Sequence, residues 1–148
     1  METRFGEYAV DECISTMPMY DPAAMTEHCG QAWEVQDRAF RTHKAQFRCV
    51  LRRVKEALRK AMAQHQENVV IAVYCKSGRH RSVATTEITS NVLQSIGHRV
   101  NEPAHLADYW WRWLPCQRRG SRCMQCTPAV DDRKAALYRK ACEEYRAA

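Results

Sequence analysis

The chain has 148 residues, enough for one domain with a real core but not two, and 23 Lys and Arg against 17 Asp and Glu give a formal charge of +6. No apolar run approaches the roughly 20 residues that a membrane helix needs. The N-terminus also lacks the basic-then-apolar order of a secretory signal, so the expectation is a soluble intracellular protein with no membrane partner. In a reducing compartment, eight cysteines point to free thiols or metal ligands rather than disulfides. The positive excess suits nucleic acid or phosphorylated ligands, and equally suits solvated Lys and Arg faces.

Taken in order, residues 8–11 carry at most one short strand, and residues 17–30, with Pro18, Pro22 and Gly30, read as a long irregular loop, either a binding loop or mobile surface. From about Trp33 to Gln66 the spacing predicts a long helix, because Phe47, Val50, Leu51, Val54, Leu58 and Met62 recur every three or four residues. Its other face carries Arg41, Lys44, Arg48, Arg52, Lys55, Arg59 and Lys60. That face fits phosphate contacts on RNA or DNA, or plain solvation; no exposed aromatics interleave to stack on bases.

Residues 69–83 read Val-Val-Ile-Ala-Val-Tyr-Cys-Lys-Ser-Gly-Arg-His-Arg-Ser-Val. The β-branched apolar run predicts a strand buried on both faces, as in a parallel sheet. A helix is predicted from about Ser82, with Ala84, Ile88, Val92 and Ile96 on its buried face and Gly97 as its C′ residue. A short strand at residues 99–101 would complete a β-α-β unit and put a ligand crevice at the carboxyl end of the first strand. The loop there would present unpaired N–H groups and the positive end of the helix dipole to one concavity, where anions bind. Lys76, Ser77, Gly78, Arg79, His80, Arg81 and Ser82 are therefore the candidate anion-binding residues. Ser77 and Gly78 would supply backbone N–H groups, and His80 and Arg81 charge-assisted hydrogen bonds. Cys75 is either a reactive thiol beside that anion or a small buried residue at a strand end.

Two resemblances attach to this stretch. The spacing Cys75-x5-Arg81-Ser82 resembles the phosphate loop of cysteine-dependent protein phosphatases, which implies Cys75 as nucleophile and Arg81 as phosphate clamp. Asp21, on the upstream loop, is the candidate general acid under that reading. The longer match resembles the C-terminal domain of the RNase adapter protein RapZ family, whose signature has the form Cys-Thr-Gly-Gly-x-His-Arg-Ser-Val after an apolar strand. Cys75, Gly78, His80, Arg81, Ser82 and Val83 fit it, Lys76 and Ser77 depart, and His80 directly before the Arg favours this family. The family's upstream Asp-x-Arg-x-x-Pro-Asn-Pro-His-Trp-Asp-Pro-like block is matched by Asp11, Pro18, Asp21 and Pro22, with Thr26 and Gly30 nearby. Cys13, Met17 and Met19 stand where that block has Arg, Asn and His. The resemblance implies sugar-phosphate sensing and small-RNA binding, and the three lost polar groups weigh against the sugar-phosphate part. No Gly-x-x-x-x-Gly-Lys-Ser/Thr motif is present, so neither the nucleotide-binding half of the family's full-length proteins nor ATPase activity is expected.

From Glu102 the composition shifts. His105 precedes the cluster Tyr109-Trp110-Trp111-Arg112-Trp113, which suits core packing, base stacking or a protein partner. Cys116-x6-Cys123-x2-Cys126 follows, and its Cys-x-x-Cys spacing lets two thiolates meet one zinc ion with Cys116 as a third ligand. His105 is the expected fourth ligand, with His98 and Cys142 next. A redox pair at Cys123 and Cys126 is the competing chemistry. Zinc would tie down the irregular segment around Arg118, Arg119 and Arg122. Pro128 and Asp131-Asp132 mark a last helix, with Ala135, Tyr138, Ala141, Cys142 and Tyr145 as its apolar stripe.

The sequence therefore predicts an α/β protein: one layered domain over residues 1–104, with a small mixed or parallel sheet flanked by helices, and a Cys-rich, zinc-binding extension over residues 105–148. Recognition of a phosphorylated small molecule or an RNA backbone at the 75–82 loop is the first functional expectation. A cysteine-dependent phosphatase and a zinc-stabilised protein-interaction module are the alternatives. A homo-oligomer is compatible with the sequence.

Overall fold

Two short strands, far apart in sequence, form the centre of the fold: β3 (Glu12–Ser15) pairs in parallel with β4 (Ile71–Tyr74), Cys13 opposite Ala72 and Ile14 opposite Val73. The computed structural model describes residues 3–5, 8–19, 27–76, 78–117 and 123–148. Ahead of this pair, β1 (Thr3–Phe5) and β2 (Tyr8–Val10) form an antiparallel hairpin. Side chains lock the register of the parallel pair at both ends. At the start, the Asp11 carboxylate accepts from the Val70 amide (2.7 Å) and from Gln66 Nε2 (3.0 Å). At the end, the buried Thr16 donates from both its amide and its hydroxyl to the Tyr74 carbonyl, each at 2.9 Å. The strand is thus held where it hands over to residue 75.

The crossover from β3 to β4 is helical, as parallel pairing requires. One helix was expected between Trp33 and Gln66; there are two, α1 (Trp33–Thr42) and α2 (Lys44–Ala63), broken at His43, whose backbone leaves the helical region (φ −123°, ψ 41°). The apolar spacing runs through the break without a signal, because Phe40 and Phe47 stay on one side and meet edge to face at 5.5 Å.

After β4 comes α3 (Arg81–Ser95), which ends as expected: Gly97 has φ +102°, and the amides of Gly97 and His98 return to the carbonyls of Gln94 and Leu93. Residues 99–101 form no strand, so the parallel unit closes backwards through α1 and α2 rather than forwards through α3. In a two-stranded sheet each strand is an edge, so β4 is only half-buried, with Tyr74 exposed, and not buried on both faces as the apolar run suggested.

Two 3₁₀ segments, Asp108–Trp113 and Pro115–Gln117, lead to α4 (Asp132–Ala147). Asp131 caps α4, its carboxylate accepting from the Lys134 amide at 2.9 Å. The fold is α/β, helix-rich around the small parallel sheet, with a Cys-rich C-terminal region. One hydrophobic cluster runs through all of it: Ile14, Phe40, Phe47, Leu51, Ile88 and Val92 pack with Leu137, Tyr138 and Ala141 of α4. Each large side chain buried there contributes roughly 1.5–3 kcal/mol.

Candidate metal centre and anion loop

Four donors converge between the 27–32 turn and the C-terminal region: His28, Cys116, Cys123 and Cys126, whose ligand atoms all lie within 4.8 Å of one another. The spacing expected for the three cysteines is realised. The fourth position belongs to His28, 88 residues before Cys116, and not to His105. His28 Nδ1 sits 3.5 Å from both Cys123 Sγ and Cys126 Sγ, and Cys116 Sγ lies 3.8 Å from Cys126 Sγ. A tetrahedral ion with bonds of about 2.3 Å to sulfur and 2.0–2.1 Å to nitrogen has S···S edges of about 3.8 Å and N···S edges of about 3.6 Å. The donor set suits a thiophilic ion in chemistry, and three of its six edges match that size, with all six within 4.8 Å. None of these thiols is in a disulfide.

The surroundings support the same assignment. The Cys29 amide donates to Cys126 Sγ (3.4 Å), the kind of hydrogen bond that orients and stabilises a ligating thiolate. Buried Lys134 donates from Nζ to the carbonyls of Thr127 (2.6 Å) and Ala129 (3.0 Å), fixing the chain just after Cys126; burial holds its pKa below the ordinary value. Without a cation, Cys116 and Cys126 resist ionisation. Burial and the neighbouring Cys126 push the Cys116 pKa well above its usual range, and the side-chain contact with the Cys29 thiol, together with burial, does the same for Cys126 against the opposing Cys29 amide bond. A bound divalent ion reverses that balance.

The other expected ligands lie elsewhere. His105 Nε2 is 2.8 Å from Glu87 Oε1, both side chains nearly buried, and its ring packs against Trp111 at 5.3 Å. His98 is exposed at the end of α3, and Cys142 belongs to the apolar face of α4.

The 75–82 loop leaves the carboxyl end of β4 and enters α3. The N-cap residue of α3, His80, makes no side-chain cap hydrogen bond, and the helix's first turn holds no acidic residue to offset its positive end. Gly78 has φ +64°, and a Cβ there would meet Ala107 Cβ at 2.8 Å. Its carbonyl accepts from Trp111 Nε1 at 3.2 Å. Cys75 Sγ and Ser82 Oγ are 3.2 Å apart. Lys76 is exposed and Arg79 half-buried, with Arg79 Nε buried and unpartnered among the described residues.

Arg81 and His80, expected to contact an anion, are both buried. Arg81 is buried, and its Nη1 donates to the carbonyls of Met19 (3.0 Å) and Met17 (3.4 Å). His80 is buried at the start of α3. Ser77, Asp21 and the segment with Arg118, Arg119 and Arg122 lie outside the described residues.

The two surfaces proposed for nucleic acid also resolve in part. On α2, Arg48 and Lys44 face Glu144, Arg59 pairs with Glu56, and Lys55 donates to the carbonyls of Tyr145 and Ala148. Arg41 pairs with Asp37, leaving Arg52 and Lys60 without an ion pair among the described residues. In the aromatic cluster Trp111 turns inward, while Tyr109, Trp110 and Trp113 are more than half exposed.

Compared with known proteins, residues 7–105 match the family model described as the RapZ C-terminal domain. No curated protein and no solved structure matches the chain. No helix among the described residues is long and apolar enough to cross a membrane.

Proposed function

The chain belongs to the RapZ C-terminal domain family, and from that premise we propose that it is a binding domain for a phosphoryl group, borne by a phosphorylated metabolite or an RNA backbone and braced by a structural zinc ion. The observation that carries the reading is the 75–82 loop: it runs from the clamped end of β4 into the start of α3, whose N-cap His80 makes no side-chain cap bond and whose first turn has no acidic residue, beside Lys76 and Arg79. Backbone N–H groups at such a helix start bind phosphate oxygens, and the two cations add charge-assisted contacts. Zinc suits three thiolates and an imidazole, and four protein donors leave no open position for catalysis.

Two features bear on the kind of phosphate. Where the family resemblance implies Arg, Asn and His, this chain has Cys13 within β3, Met17 and Met19, the last buried in the core. A ligand relying on those polar groups would lose them here. The phosphatase reading draws on the Cys75–Ser82 contact but lacks its clamp, because the Arg81 guanidinium serves the Met17 and Met19 carbonyls.

Calorimetric titration of the reduced, zinc-loaded protein with a sugar phosphate, the parent sugar and a short single-stranded RNA tests the reading. Binding of at least one phosphate-bearing ligand, no binding of the parent sugar, and retention of affinity in Cys75→Ser are expected. Turnover of an aryl phosphate that Cys75→Ser abolishes would replace it with the enzyme reading. Failure of every anion to bind would refute it.

A further inference from the structure

The metal cluster and the anion loop are joined by two short struts. The first is the tripeptide His28-Cys29-Gly30. His28 is a cluster donor, the Cys29 amide reaches Cys126 Sγ at 3.4 Å, and the Gly30 amide donates to the Arg79 carbonyl in the loop at 2.6 Å. Gly30 is pressed against the start of α3: a Cβ on it would stand 2.4 Å from the Ala84 nitrogen and 2.5 Å from the His80 oxygen. Buried Gln36 holds the strut from behind, donating to the carbonyls of Gly30 (3.0 Å) and Gln31 (3.2 Å). The second strut runs from Cys116, whose amide donates to the Glu27 carbonyl at 3.3 Å, back through buried Leu114 to Trp111, which donates to the Gly78 carbonyl.

The loop is therefore held at two carbonyls, Gly78 and Arg79, by segments that begin at two different donors of the metal cluster. An ion that draws His28 and Cys116 to fixed distances fixes both struts, and with them the backbone that would receive a phosphate. We propose that metal at the His28-Cys116-Cys123-Cys126 cluster is a positive effector of anion binding at the 75–82 loop, the two ligands being thermodynamically linked. The inference rests on the binding function proposed above and adds a direction and a mechanism of control. Loss of the ion, by chelation, would release both struts and lower anion affinity.

Linkage is reciprocal, so either ligand reports it. The test uses full-length reduced protein, metal-free or preloaded with one cobalt ion and freed of excess, with thiolate-to-cobalt absorption reporting the cluster and calorimetry reporting inorganic phosphate. Cobalt is expected to tighten phosphate about tenfold, within the range typical of coupled sites. Phosphate should raise cobalt affinity against a competing chelator by the same factor. Gly30→Ala should keep the cobalt spectrum and lose the coupling. Should that variant not fold, Trp111→Phe, which removes the donor to Gly78 and trims the ring packed on His105, should reduce the factor while leaving cobalt affinity in the absence of phosphate unchanged.

Phosphate affinity that is equal with and without cobalt would overturn the linkage and leave the binding function standing. Absence of phosphate binding to either form would overturn the anion reading, and absence of cobalt binding the metal reading; either result would remove the inference as well.

Discussion

The Nη1 of Arg81 donates to the carbonyl of Met19 at 3.0 Å, joining the first turn of α3 to the turn that follows β3, 62 residues earlier in the chain. A buried guanidinium at this place is a brace. It holds the upstream turn against the loop and keeps Met19 in the core.

Arg81→Ala should therefore act first on stability. Losing a charged hydrogen bond to the Met19 carbonyl in a buried setting, with a longer one to the Met17 carbonyl, costs about 2–3 kcal/mol. A lowered thermal midpoint for unliganded Arg81→Ala is the expected outcome. Unchanged stability together with lost phosphate affinity would instead mark Arg81 as a phosphate clamp. Arg81→Lys should recover part of the loss, since Nη1 alone makes both contacts and one ammonium can donate to two carbonyls, as that of Lys134 does.

The metal assignment separates two histidines. His28→Ala should lose stoichiometric zinc, whereas His105→Ala should keep about one zinc per chain, as a single site requires. Metal analysis of the two variants after dialysis against a weak chelator decides between them. A His105→Ala protein that lost its metal while His28→Ala retained it would reverse the assignment. Independently of metal, His105→Ala is expected to destabilise the fold, because it leaves Glu87, 3% exposed, without its closest partner.

What could be read from the sequence followed local rules. Gly97 at a helix end, Asp131 at a helix start and the Cys123-x2-Cys126 pair each announce themselves within a few residues. His28 does not: it enters the cluster only because the 27–32 turn is packed against residue 116, and no spacing in the chain carries that information. The break at His43 hides for the opposite reason, since the apolar period is preserved across it. Arg81 shows the limit of reading charge. Beside a helix start a cation looks like an anion ligand, and only the fold shows that the 17–19 turn covers it.

Stripping the metal should make stability sensitive to alkali. Cys116 and Cys126 ionise above the ordinary thiol value of 9.0 in the folded, metal-free protein. The unfolded chain releases those protons first, so above about pH 9 the folded state binds more protons and its stability falls as pH rises. Below that value the contribution is fully present. Tyr138 and Tyr145 are also raised and act in the same direction, but in loaded and stripped protein alike. The difference in thermal midpoint between zinc-loaded and chelated protein should therefore widen from pH 8 to pH 10. A difference that stayed constant would mean that the thiols are not the zinc ligands.

The C-terminal helix is tied to the rest of the fold by one buried hydrogen bond as well as by apolar packing: Tyr138 Oη donates to Gln36 Oε1 at 2.7 Å. Gln36 uses its nitrogen on the Gly30 and Gln31 carbonyls, so its amide orientation is set by partners on both sides. Tyr138→Phe keeps the ring and leaves Gln36 Oε1 buried without its donor, at a cost of about 1–3 kcal/mol. Gln36→Leu removes three hydrogen bonds at once and should cost more, and the double variant should cost less than the sum because the orphaned oxygen is gone. Denaturant unfolding of the three proteins measures the coupling. Additive losses would mean that Tyr138 and Gln36 act separately, and that this hydrogen bond does not tie α4 to the fold.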